Sequence, residues 1–160
     1  MIFGYCLLDG RTGHQAGWEL LEKEYRACTG QAPPPISVTP EGKPYWKDSP
    51  WHFSISHTHR HAFCALAKVP VGIDAEELDR PIALTLAERV LSPREKEQFD
   101  QAEDKRRALL TFWVLKEAAA KQSGEGLRIF PNHTSFSLKD PRVWECDGCL
   151  VAVLIGETNG

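Results

Sequence analysis

Positive charge is in short supply: 19 lysines and arginines face 22 aspartates and glutamates, for a formal net charge of −3. A general nucleic-acid binder, which is usually basic, is therefore not expected. Long apolar runs are missing as well. The opening stretch MIFGYCLLDGRT has no basic segment and no apolar run long enough for a signal peptide or a membrane span. There is no internal repeat and no low-complexity tract. The 5 cysteines are odd in number and scattered, which argues against a disulfide framework and fits reduced thiols in a cytoplasm. What remains, 42% hydrophobic and 26% charged residues over a length of 160, is the balance of a soluble globular protein: one domain, or two small lobes sharing a core.

Punctuation residues divide the chain. Met1 to Leu8 reads as a strand, and Thr12 caps a helix over 13–28 that places Trp18, Leu21 and Tyr25 on one face and stops at Gly30. The run Pro33-Pro34-Pro35 forces an extended connection. His52 to Ser56 and Ala62 to Val69 read as strands around the polar turn His57–His61, and Val71 to Glu76 as a third. Asp79-Arg80-Pro81 breaks the pattern before a helical stretch, Ile82 to Leu91. Ser92-Pro93-Arg94-Glu95 is a capping box with proline at the first helical position. A helix over Lys105–Ser123 ends at Gly124, and Asp147-Gly148 joins two apolar segments as a hairpin. These elements predict an α+β domain with mainly antiparallel strands and one long central helix. A single domain over 1–160 is expected, with lobes at about 1–70 and 71–160 meeting at Pro70.

That helix, ALLTFWVLKEAAA over 108–120, is apolar nearly all round, yet Lys116, Glu117 and then Lys121 fall within it. Lysine and glutamate are seldom buried unless paired or bound to something. Glu117 and Lys121 stand four apart and share a face, so an ordinary ion pair at the rim of a core helix is one reading. The strand VGIDAE offers another. Asp74 and Glu76, two apart, point to one side, and two converging anions repel unless a cation neutralises them. Magnesium suits such a set, and Glu117 would be its third carboxylate; a solvated acidic strand end, continued by Glu77 and Asp79, is the alternative. Ser56-His57 ends a strand in two groups able to donate to phosphate oxygens, although a turn histidine without a ligand role is the commoner case. Gly42-Lys43-Pro44 by itself is simply a turn.

Two further patterns admit other functions. His57, His59 and His61 alternate and Cys146 and Cys149 form a C-x-x-C pair, so a zinc-binding module can be assembled on paper. Against it, a two-residue turn sets the cysteines opposite each other across a hairpin, and the histidines are far away in sequence; core or rim thiols are expected. Arg89, Arg94, Lys96, Lys105, Arg106 and Arg107 precede the long helix, but acidic residues are interleaved with them, and an ordinary solvated surface is the favoured reading.

Four segments in this order resemble the 4′-phosphopantetheinyl transferases, particularly the surfactin-synthetase type. They are Gly42-Lys43-Pro44, FSISH over 53–57, VGIDAE over 71–76 and WVLKEAAAK over 113–121, and the resemblance covers about residues 40–127. It implies a fold of two small pseudo-twofold lobes, each an antiparallel sheet packed on a long helix, with an abridged N-terminal lobe. It implies transfer of the 4′-phosphopantetheine arm of coenzyme A to a serine of an acyl or peptidyl carrier protein, with release of adenosine 3′,5′-bisphosphate. Asp74, Glu76 and Glu117 would hold Mg²⁺. Glu117 would be the base for the carrier serine and Lys121 the partner of the phosphate oxygens. Ser56 and His57 would meet the phosphates of the nucleotide half, Lys43 the adenine or its 3′-phosphate, and Lys116 would also belong to the coenzyme A site. A cytoplasmic monomer acting in fatty-acid, polyketide or nonribosomal-peptide synthesis is the expectation. A catalytically degenerate homologue that binds coenzyme A or a carrier is the alternative.

Overall fold

The computed structural model describes residues 1–124 and 135–156; the last three positions of the resemblance, 125–127, lie outside them. Strand β1 (Ile2–Leu7) leads into helix α1 (Gly13–Thr29). The helix starts where expected because Thr12 and Gln15 cap each other's backbone N–H groups, at 3.1 and 3.0 Å, and it stops at Gly30, which adopts the left-handed conformation. Strands β4 (His52–His57) and β5 (His61–Ala67) pair with β1 in the order β1-β5-β4, all antiparallel. Helix α1 buries Leu20, Leu21 and Tyr25 against this sheet. Between them, β2 (Ile36–Val38) and β3 (Pro44–Trp46) form a small hairpin that the sequence reading leaves as connection and turn. The hairpin is held by Trp46, whose ring sits 4.8 Å from Tyr25 and 4.4 Å from Phe53. Three-residue strands have no periodicity to read; the packing of one tryptophan fixes them.

The second half repeats the theme. Strand β6 (Val71–Glu77), strand β7 (Val143–Cys146) and strand β8 (Cys149–Ile155) form an antiparallel sheet in the order β6-β8-β7. The β7–β8 turn has Asp147 and Gly148 both at positive φ, 50° and 81°, as a two-residue hairpin turn requires. The helix expected over Ile82 to Leu91 is not formed. In its place are a 3₁₀ turn at Leu84–Leu86 and one α-helical turn, α2 (Ala87–Val90). Neither has a capping side chain and Leu84 is exposed, while Ala87, Val90 and Leu91 are buried in the core. Helix α3 (Pro93–Gln101) begins at the expected capping box, and α4 (Lys105–Ser123) keeps its expected bounds, capped by Asp104 and ended by left-handed Gly124. Helix α4 is buried against the sheet by Leu109, Phe112 and Leu115 among others. The molecule is α+β with antiparallel sheets.

The two sheets meet through Phe63 and Ala65 on one side and Val71, Ile73, Val151 and Val153 on the other. Where β6 runs beside β4, two serine hydroxyls replace a strand ladder: Ser54 Oγ accepts from Ile73 N and Ser56 Oγ from Ala75 N, both at 3.1 Å. Those buried N–H groups would otherwise lack partners. Alternation along β6 then sorts its side chains. Val71, Ile73, Ala75 and Glu77 face the inter-sheet core, and Gly72, Asp74 and Glu76 face the α4 side. At Gly72 the helix comes so close that any Cβ would collide with the backbone of Ala118 and Gln122.

Candidate active site

Asp74 is the centre of the polar cluster under α4. Its Oδ1 accepts from Lys121 Nζ and from Ser56 Oγ, each at 3.3 Å, and Lys121 Nζ also donates to the carbonyl of Ile55 at 3.2 Å. Its Oδ2 is buried and, among the described residues, has no hydrogen-bond partner. Burial pushes the Asp74 carboxyl up to about 7, opposed by Lys121 and reinforced by the charges of Glu76 and Glu117. Glu76 is likewise pushed upward by burial, although Arg80 holds its Oε1 at 2.6 Å and the Trp113 side chain also hydrogen-bonds it. Glu117, half-buried, is raised by burial too. Among the described residues it forms no ion pair: the pairing offered by its spacing to Lys121 does not close, because the ammonium reaches across to Asp74.

These three carboxylates do not all lie within 4.8 Å of one another in this arrangement. The donor set nevertheless fits a hard divalent cation: three carboxylates, each pushed upward by burial, one of which, Asp74, has a buried oxygen with no hydrogen-bond partner among the described residues.

Glu117 and Lys121 open into a cavity of about 520 Å³ that is also lined by Lys43, His57, His14 and Trp18. Lys43 reaches it from the β2–β3 turn and donates to the carbonyl of Gln122 at 3.1 Å; burial lowers its pKa. The His57 ring lies against Gly13, where a Cβ would overlap it. His57 also lines an adjoining cavity of about 620 Å³, shared with Glu76 and Arg80. Lys43, His57, Glu117 and Lys121 thus line one cavity, Asp74 and Ser56 adjoin it through the Lys121–Asp74–Ser56 contacts, and Glu76 lines the neighbouring cavity.

Lys116 is a correction. Instead of joining the coenzyme A site, it is buried on the opposite side of α4, with Nζ 2.7 Å from Glu95 Oε1, an ion pair by distance although off the hydrogen-bond direction. Its neighbour in sequence, Glu117, faces the cavity because consecutive helical residues are turned about 100° apart. The sequence reading also passed over His14, Trp18 and Arg80. Trp18 packs against the core as its helix face requires and also borders the cavity; Arg80 is signalled by its position four residues after Glu76.

A family model for the 4′-phosphopantetheinyl transferase superfamily matches residues 70–148. The chain belongs to that superfamily. A 4′-phosphopantetheinyl transferase of Bacillus subtilis is 36% identical over 111 residues, covering 66% of this chain and 48% of the relative. The transferase Sfp of Bacillus subtilis strain 168 is 40% identical over 98 residues, 59% of this chain and 43% of the relative. The transferase gsp of Aneurinibacillus migulanus is 33% identical over 94 residues, 55% and 37% respectively. The chain spans about half the length, or less, of the curated relatives it matches.

Proposed function

We propose that this chain transfers the 4′-phosphopantetheine arm of coenzyme A to a serine of an acyl or peptidyl carrier protein. The observation that carries this reading is one cavity lined by Glu117, Lys121, Lys43 and His57, with Asp74 paired to Lys121. Attack of a hydroxyl at phosphorus needs positioning and charge neutralisation above all. Glu117 takes the proton of the carrier serine hydroxyl as its oxygen bonds to the β-phosphorus of coenzyme A. The bond from that phosphorus to the oxygen of adenosine 3′,5′-bisphosphate breaks, and Lys121 faces the charge that develops there. His57 addresses the phosphates of the nucleotide half and Lys43 the adenine end or its 3′-phosphate, while Ser56, whose buried hydroxyl is taken by Asp74 and Ala75 N, supports them from beneath. Asp74, Glu76 and Glu117 would hold Mg²⁺, which when bound supplies charge neutralisation to the pyrophosphate.

Under the same proposal the chain is one transferase domain with lobes 1–70 and 71–160 related by a pseudo-twofold axis, active as a monomer in the cytoplasm. Supporting the lobed reading, each three-stranded sheet carries one long helix, α1 or α4. Among the described residues no helix is long and apolar enough to cross a membrane.

The test is to incubate the protein with coenzyme A, Mg²⁺ and a panel of apo carriers and to weigh the carriers. A mass gain of one phosphopantetheine is expected with the wild type and none with Glu117→Gln, whose circular dichroism should match the wild type. Carriers left unchanged across the panel would sink the transferase reading and leave a coenzyme A-binding homologue; transfer at the wild-type rate by Glu117→Gln would overturn the role of Glu117.

A further inference from the structure

On the other face of β6, His61 from the start of β5, Glu77 from the end of β6 and Cys149 from the start of β8 converge. All three are buried, and their donor atoms lie within 4.8 Å of one another. His61 Nδ1 is 3.6 Å from Cys149 Sγ and 3.7 Å from Glu77 Oε1. Glu77 Oε2 is taken by Arg60 at 3.1 Å, while Oε1 is buried and has no hydrogen-bond partner among the described residues. The other imidazole nitrogen, Nε2, lies 2.7 Å from Asp147 Oδ2 in the hairpin turn. The distance along the chain between the histidines and the cysteines stood against a zinc module in the sequence. The fold removes that distance for one of each.

We propose that His61, Glu77 and Cys149 form a site for a borderline-soft divalent cation, zinc above all, distinct from the carboxylates beneath α4. Zinc takes thiolate, imidazole and carboxylate together, whereas magnesium has little use for sulfur. Bonds of about 2.3 Å to sulfur and about 2.0 Å to nitrogen or oxygen at tetrahedral angles set donor atoms about 3.3–3.5 Å apart, a few tenths of an ångström inside the spacings found here. Asp147 supplies what metal-bound histidines usually have, a carboxylate on the second ring nitrogen that fixes the tautomer so that Nδ1 presents its lone pair to the ion. The ion satisfies Glu77 Oε1 and displaces the thiol proton of Cys149 to solvent.

The same residues also read as a Cys-His-Asp nucleophile arrangement. Cys149 is fully buried, no described cavity is lined by it, and burial with the Glu77 charge pushes its thiol up to about 12, so attack on a substrate is not its chemistry. Cys146, opposite Cys149 across the hairpin, is not among the clustered donors.

Cobalt(II) is the probe, because a thiolate ligand gives a near-ultraviolet charge-transfer band that carboxylate sites do not. Chelator-treated full-length protein titrated with Co²⁺ should develop that band to one equivalent, and Zn²⁺ should abolish it by displacement and raise the thermal midpoint. Cys146→Ser should keep the band, and His61→Gln should weaken Co²⁺ binding at least tenfold. Cys149→Ser should lose the band while its circular dichroism stays folded. No band in the wild type, or a band that survives Cys149→Ser and disappears in Cys146→Ser, overturns the proposal. The readout needs no turnover, so its failure leaves the transferase reading standing.

Discussion

Two lysines of helix α4, Lys116 and Lys121, stand beside carboxylates, and the two settings differ. The Lys116–Glu95 pair is sealed, with side chains 4% and 0% exposed. Both oxygens of Glu95 are engaged: Oε1 by Ser92 N at 2.8 Å and by the lysine, Oε2 by Phe136 N at 3.0 Å. Here a helix-capping glutamate has become the tie between α3, α4 and the segment at Phe136. The Lys121–Asp74 pair is open, with the lysine side chain 33% exposed at a cavity wall and one Asp74 oxygen left over. A closed pair holds a fold together, and an open one leaves coordination to be completed by something else.

The largest effect that would test this contrast is on stability. Lys116→Met should cost about 3–5 kcal/mol in urea unfolding, because it strands a charged Glu95 in the core. Lys121→Met should cost no more than about 1 kcal/mol, since that pair is partly solvated. Equal costs would erase the distinction. Next comes rate: Lys121→Ala should lower carrier modification about 10²- to 10³-fold, the usual consequence of removing one group that faces developing charge. A loss under threefold, measured by carrier mass against time, would move the lysine out of the chemistry.

Gly72→Ala should cost about 1–3 kcal/mol, since the methyl meets helix backbone that can yield only by moving α4. Its rate should fall as well, because Asp74 and Lys121 sit on the two elements pushed apart; an unchanged melting midpoint would refute the close approach. The last effect is a slope with pH. With a folded pKa of about 7 against an ordinary 3.8, Asp74 binds more protons folded than unfolded between those values, so its contribution to stability falls as pH rises through that window. Metal-free wild type should therefore lose unfolding free energy relative to Asp74→Asn from pH 3.8 to about 7. A flat difference would mean that burial does not hold the proton there.

What could be read from sequence follows the range of the interactions involved. The capping boxes at Thr12 and Ser92, the end of α4 at Gly124 and the Asp147-Gly148 turn are set by neighbours three or four residues apart, and each stands where its residues put it. The same holds for Asp74, Glu76 and Glu117 gathering around α4, since strand and helix periods fix which way each points. Partners across the fold were illegible. Nothing local says that Lys116 meets Glu95, that Lys121 prefers Asp74 to Glu117, or that His61 touches Cys149, because sheet packing creates those contacts. The stretch 82–91 departs for the converse reason: its local pattern suits a helix, but no side chain caps it and Leu84 faces out, so only Ala87–Val90 completes an α-helical turn.

Gly72 has one more consequence, for the accuracy of folding. Moving β6 by one residue along β8 would exchange its faces, sending Glu77 beneath α4 and Asp74 among the valines. The glycine makes that slip self-rejecting, because Val71 or Ile73 would then bring a branched side chain to the one point where the helix backbone leaves no room for a single carbon. A residue with no side chain thus acts as a proofreader of strand register, and admits the only alignment in which both polar clusters can exist.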